Sequence, residues 1–313
     1  MAHKTQPSFM TRSAVVVLGA LFCCLLWGSA FPFIKIGYST LDIHSSDAFS
    51  QILFAGVRFT GAGILTLILG SIGERRVLLP QKTSWKYILV LSLFQTILQY
   101  VFFYMGLAHT SGVKSSIIEG VNVFVAILVA ALLFRQEKIN AGKMLGCLIG
   151  FIGLVLVNLV GNSDFHPTFT LSGEGAILLS TVAYAFSSVF MKQFSKKEDP
   201  VMLSGSQFIL GGLVMVIIGL INGGSLNPAG NTLSIKAVSV LFWLAFVSAG
   251  AYSVWSILLK YNTVSRITVF GFMTPVFGVL LSALLLRETS QLAPISLLAL
   301  LLVSLGIYIC QKA

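Results

Sequence analysis

Charge is what this sequence has least of. Only 10% of its 313 residues are Asp, Glu, Lys or Arg, where a soluble domain carries roughly a quarter. Cysteine and histidine are scarce as well, four of each. No C-x-x-C pair, no Cys/His metal spacing and no H-E-x-x-H occurs, which removes the familiar zinc and redox motifs. Paired catalytic aspartates and a Ser/His arrangement on facing spans are missing too, so a membrane-embedded enzyme has no constellation to work with. The absence of a nucleotide-binding P-loop excludes ATP as the direct driver. No metal or cofactor is therefore expected. Cys23, Cys24, Cys147 and Cys310 all lie in apolar runs and read as small buried residues.

What fills the space is hydrocarbon, 56% of the residues. It comes in runs of about 20, the length a helix needs to cross a bilayer core about 30 Å thick. Ten spans fit: Ala14–Ile36, Ala48–Gly70, Trp85–Leu107, Ser111–Phe134, Lys143–Gly161, Gly173–Phe194, Val201–Ile221, Lys236–Leu259, Ser265–Leu286 and Leu292–Cys310. The expected fold class is an all-α polytopic membrane protein. Between the spans there is no room for a soluble domain. The basic start (Lys4, Arg12) and the apolar run after it resemble a signal peptide, but the run is too long and no A-x-A site closes it. It reads as a retained first helix.

The formal net charge of +10 is then an orientation signal and not a nucleic-acid footprint. With the N-terminus in the cytoplasm, the inner connections collect Arg12, Arg75, Arg76, Lys82, Arg135, Lys138, Lys196, Lys197, Lys260 and others. The outer ones keep only Lys35, Lys114, Lys236 and Arg287. Cytoplasmic loops are enriched in Lys and Arg, so both termini are expected in the cytoplasm of a plasma (inner) membrane protein.

The chain also repeats itself. Ser111–Glu137 and Ser265–Glu288 are long apolar runs ending in a charged corner, and setting Glu137 on Glu288 aligns Leu133 with Leu284. Trp27–Lys35 lines up with Tyr184–Lys192, and Phe59 with Phe208, which sets Arg58 opposite Gln207. The expectation is two five-helix units, 14–161 and 173–311. Five is odd, so the second unit enters the membrane from the opposite side. Such inverted-topology repeats are a common plan for transporters whose site lies near the midplane.

The LLWGSAF start of the first span, the GLAHTSGVKSS turn and TPVFGVLLSALLLRE, with Pro275 ahead of Glu288, carry a family resemblance. Over nearly its whole length the chain resembles the EamA-type transporters of the drug/metabolite transporter superfamily. The first repeat departs from that pattern: Phe124 stands where the family's proline would be, and Glu119 and Asn122 add polarity. The resemblance implies ten helices around a central cavity lined largely by helices 1–4 and 6–9. It puts helices 5 and 10 at the periphery, where they support homodimers. It implies secondary transport, often efflux, of small metabolites, amino acids or drugs.

Charged side chains inside a membrane are costly and by default face a cavity or a partner. At 1.5 Å per residue, Arg58 lies about 15 Å below the outer end of its span, and Glu119 and Gln99 about 12 Å below theirs. Three polar groups thus share one depth. They form either a polar site or a structural Arg58–Glu119 pair with Gln99 beside it. Asn122 shares the helix face of Glu119, and Gln95 that of Gln99; amides between helices also serve as packing glue. Trp27, Tyr184, Tyr252, Trp255 and Tyr104 are candidate aromatic walls, with interfacial belts the competing role. Pro275 interrupts backbone hydrogen bonding, and carbonyls freed in a cavity can meet a ligand. Gly142, Gly146 and Gly150, spaced by four, permit close helix packing.

Glu119 is the one carboxylate deep in a span, and Phe270 stands opposite it in the repeat. Desolvation and a nearby guanidinium pull a carboxylate in opposite directions, which makes Glu119 the candidate for proton coupling. The best reading is a secondary transporter of a small metabolite, amino acid or drug-like compound. A nucleotide-sugar or sugar-phosphate carrier of the same fold is the alternative, and would want more than one deep cation. A non-transporting membrane subunit needs neither the repeat nor the polar groups.

Overall fold

A computed structural model describes residues 9–44, 46–110, 112–159, 169–226, 234–286 and 294–313. Glu288, Arg287 and His166 fall outside these residues. Among the described residues there are helices and no strands. In chain order they are α1 (Ser13–Thr40), α2 (Ala48–Glu74), α3 (Lys82–Leu107), α4 (112–133), α5 (Ala141–Leu159), α6 (Leu171–Phe194), α7 (Pro200–Ile221), α8 (Ile235–Tyr261), α9 (Val264–Leu286) and α10 (Pro294–Lys312). Eight have the length and apolarity to cross a membrane unaided, and α5 and α10 contain shorter apolar helices, Ala141–Leu156 and Leu298–Lys312. This is a polytopic membrane protein, with expected and observed boundaries differing by a few residues.

Short polar residues start the helices where the sequence turns polar. Asp47 caps α2 by accepting from Ser50 N. Asp199 accepts from Val201 N and Met202 N ahead of Pro200, and Ser234 and Thr263 cap α8 and α9. Each satisfies backbone donors that a helix start leaves free, and proline in the first turn has no donor to lose.

Four spans are less regular than the hydropathy pattern suggests; α6 opens with a π-helical turn, Leu171–Gly175. In α3 the stretch Ser92–Leu98 is a π-helix. Its wider turn accompanies two contacts with α7: Ser92 Oγ donates to Gln207 O at 3.1 Å, and Thr96 Oγ1 to Gln207 Oε1 at 2.7 Å. In α4 the helix stops at Gly120 and resumes at Asn122. In α9 the chain tightens to a 3₁₀ stretch, Val269–Phe272, just before Met273-Thr274-Pro275, where proline leaves its i−4 carbonyl without a donor.

The packing has a pattern. Helices α2 and α7 pack on each other, and so do α5 and α10; α1 packs on α8 and α9, and α6 on α3 and α4; α8 meets α2, and α3 meets α7. Exchanging helices 1–5 with 6–10 turns this set of pairs into itself. Phe59 and Phe208, matched in the sequence repeat, stack on one another with centroids 5.1 Å apart and planes 9° from parallel. The two self-matched pairs meet through glycine. A Cβ on Gly63 would lie 2.5 Å from Gly205 O, and one on Gly306 would lie 2.5 Å from Gly146 O. No larger residue allows these backbones so close.

One face of the bundle is tied together by polar contacts. Glu137, at the end of α4, is buried and accepts from Ser265 N at 3.0 Å, from Ser265 Oγ and from Lys143 Nζ at 2.9 Å. Arg266 donates to Gln311 Oε1, Asn262 Oδ1 and Thr11 O. Lys192 Nζ donates to Leu259 O and Asn262 O at the end of α8. Thr11 ahead of α1, the ends of α4 and α8, the start of α9 and the C-terminal end of α10 thus share this face.

Candidate functional site

Midway along the bundle the helices part around a cavity of about 210 Å³. Its wall comes from α1, α2, α3, α4, α6, α8 and α9, with Leu154 from α5. Helix α7 supplies no lining residue. Its polar side chain, Gln207, is turned to Thr96 of α3, and Phe208 sits behind Phe59. The cavity therefore departs from the pattern of eight lining helices that the resemblance implies.

The aromatic part of the wall is built on Trp27. Its ring meets Tyr252 edge-on at 5.0 Å and Trp255 at 4.9 Å. Tyr252 in turn touches Phe208 at 4.8 Å, and its hydroxyl lies 3.1 Å from that of Tyr100. Tyr100 packs on Phe59, centroids 4.4 Å apart. Tyr184 and Tyr104 complete this side. These are cavity walls and not belts; Trp85, 47% exposed at the start of its span, has the exposure of a belt residue.

The polar part consists of Arg58, Gln99, Glu119 and Asn122. Glu119 and Asn122 flank the break in α4, and Ser116 lies one turn before Glu119 on the same face. Arg58 is 6% exposed. Its guanidinium carbon lies 4.5 Å from the centroid of the Phe59 ring, an arrangement favourable to a cation. Among the described residues, Nε and Nη1 of Arg58 have no hydrogen-bond partner, and neither do Gln99 Oε1, Asn122 Oδ1, Trp27 Nε1 or Trp255 Nε1. Arg58 and Glu119 line the same cavity without forming an ion pair. Depth along two helices gave them a common level and no information on azimuth, which is why a direct pair looked plausible.

Gln95 is a correction. It is buried, with Oε1 unpartnered among the described residues, but it does not line the cavity. It stands one helical turn from Gln99 toward the tied face, and of the two only Gln99 is a lining residue. Pro275 does line the cavity, as does the 3₁₀ stretch before it through Gly271 and Phe272. Tyr100, Phe103 and Thr181 are lining residues that sequence reasoning passed over. Tyr100 was within reach: it lies four residues before Tyr104, which was already a wall candidate, and so shares its face.

This geometry can be set beside known proteins. A family model of the EamA-like transporters matches the chain twice, over residues 14–159 and again over 171–310. The chain belongs to the EamA-like transporter family. An uncharacterized transporter of Archaeoglobus fulgidus is 29% identical over 297 residues, covering 91% of this chain and 95% of that one. The uncharacterized inner membrane transporter YedA of Escherichia coli is 26% identical over 307 residues, 95% and 94% of the two chains. The WAT1-related protein At3g02690, chloroplastic, of Arabidopsis thaliana is 30% identical over 243 residues, 75% of this chain and 57% of its own. One crystal structure superposes with a TM-score of 0.75 over 96% of this chain and 98% of its own, at 18% identity, a likeness of fold alone. In this EamA-like transporter, the cavity draws its wall from both of the family-matched segments.

Proposed function

We propose that this EamA-like protein is a secondary transporter of the plasma membrane that exports or exchanges a small metabolite through the cavity. The observation that carries the reading is an aromatic-and-polar cavity, mid-bundle, walled by both segments and holding a buried, unpaired arginine. A scaffold subunit gains nothing from an unpaired buried charge, which is costly. The volume also restricts the cargo. Drug-sized ligands occupy pockets of roughly 300–1,000 Å³, so a cavity of about 210 Å³ suits a small metabolite better than a bulky drug or a nucleotide sugar.

The two segments act as inverted five-helix repeats, 14–161 and 173–311. The double family match and the interchange of packing partners support this. The tied, basic face is cytoplasmic, and Glu119, the single carboxylate lining the chamber among the described residues, couples transport to protons. Helices α5 and α10, packed on each other, are where a homodimer would form.

Gly271 provides the test. It lines the cavity, and a Cβ there would meet nothing within 4 Å. Purified protein is screened for thermal stabilisation by amino acids, organic acids, nucleosides and small amines, since binding raises apparent stability by mass action. Compounds that stabilise it are then exchanged across proteoliposomes. Gly271→Leu should melt within about 2 °C of wild type, as space-filling without a clash predicts, yet lose both stabilisation and exchange. Wild-type exchange in this variant would place the pathway elsewhere.

A further inference from the structure

We infer that the substrate is a small organic anion, a carboxylate on a compact flat body, and that it enters its site together with one proton, taken by Glu119. The inference rests on the transport reading above and adds the chemistry of the cargo and the sign of the coupling.

Arg58 and Glu119 carry opposite charges in one cavity and do not meet. They are not equivalent. A guanidinium cannot be deprotonated in a protein, so Arg58, 6% exposed, keeps its charge in every state of the chamber and is stabilised by a negative partner. A carboxylate can lose its charge by binding a proton and then needs no cation. The favoured counter-charge is therefore an anion. On the lining residues the unpartnered atoms comprise four donors, Arg58 Nε and Nη1 and the indole N–H groups of Trp27 and Trp255, against two acceptors, Gln99 Oε1 and Asn122 Oδ1, among the described residues. Four donors suit the oxygen atoms of a carboxylate, and the Trp27, Tyr252 and Trp255 rings suit a flat apolar body.

The linkage follows from charge balance. With Glu119 ionised the empty chamber holds one positive and one negative group, and an entering anion leaves it with a net negative charge in a low-dielectric setting. With Glu119 protonated the chamber is positive, and the anion neutralises it. The other titratable groups facing this space are the hydroxyls of Tyr100 and Tyr104 on α3, Tyr184 on α6 and Tyr252 on α8. Among the described residues, no further Asp, Glu, Lys, Arg or His lines it. Anion and proton thus bind as a pair and travel in the same direction.

The test is a binding measurement on the purified full-length protein with four probes: benzoate, benzenesulfonate, benzylammonium and phenylalanine. Benzoate and benzenesulfonate should raise the melting temperature. Benzylammonium should not, and phenylalanine should do so more weakly than benzoate. Calorimetry of benzenesulfonate in two buffers of different ionisation enthalpy should show uptake of one proton. The probe itself cannot take that proton. Where Glu119 is ionised in the empty protein, affinity should fall about tenfold per pH unit, the slope for one linked proton. Arg58→Gln should weaken benzoate binding by about thirtyfold or more, as loss of one partner of a buried charge pair does. Glu119→Gln should keep the affinity, lose the pH dependence and take up no proton. Should Arg58→Gln fail to fold, the Glu119→Gln proton count still decides. Binding of benzylammonium in preference to benzoate, benzenesulfonate binding without proton uptake, or no binding of either anion would overturn the inference. If benzylammonium binds and Gly271→Leu abolishes that binding, the chamber remains the substrate site and only the anion assignment fails.

Discussion

At the scale of single residues the chamber combines a rigid aromatic wall with unpartnered polar atoms. Trp27 touches both Tyr252 and Trp255. Trp27→Ala should therefore weaken binding of any stabilising ligand by about tenfold or more, since buried aromatic anchors dominate contact energy. It should also lower the melting temperature, because the two rings lose their partner. Trp27→Phe should recover most of the stability and less of the binding, which a ligand titration of both variants would read. Much of this site could be found in the sequence because ionisable residues in an apolar run are rare enough to stand out: Arg58 and Glu119 were conspicuous for that reason. Lining residues such as Phe103 and Thr181 resemble every other apolar or small residue in a span. Their role depends on helix rotation, which depth alone does not encode.

At the scale of elements, glycine sets the distance between α2 and α7. Gly63→Val would force a side chain into Gly205 O and Ile209 N, while Gly73 on the same helix has nothing within 4 Å. Gly63→Val should lower the melting temperature and folded yield sharply, and Gly73→Val should change them by only a degree or two. Equal effects would mean that this close approach does not hold the pair together. Glu137 does related work at the tied face, where α4, α5 and α9 meet. Replacing it by Leu removes the counter-charge of the Lys143 ammonium, whose side chain is 13% exposed and whose remaining partner is Lys138 O at 3.2 Å. Breaking such a pair costs about 3–5 kcal/mol, and Glu137→Leu with Lys143→Met should recover part of the loss in a denaturation series. The spans themselves were legible from hydropathy. The π stretch in α3 and the break in α4 were not; the former accompanies long-range contacts of Ser92 and Thr96 with Gln207 that a local window cannot see.

At the scale of the whole molecule, the account is of two like units around one asymmetric site. The packing partners interchange between the halves, yet Arg58 faces the chamber while its counterpart Gln207 does not line it. Phe270 stands where a second Glu119 would be. If the basic face lies in the cytoplasm, as proposed, an impermeant thiol reagent applied to intact cells should label Asn222→Cys and spare Lys197→Cys. Both positions are exposed, on opposite sides of the bundle, and the native cysteines are buried. The reverse pattern would invert the molecule in the membrane. The most direct test of the account loads proteoliposomes with a pH-sensitive dye and imposes an inward benzenesulfonate gradient at equal pH on both sides. Wild-type protein should acidify the lumen as the anion enters, one proton for each. Glu119→Gln should exchange labelled benzenesulfonate across the membrane without acidification, and Gly271→Leu should do neither. Undiminished acidification in the Glu119→Gln vesicles would contradict the account.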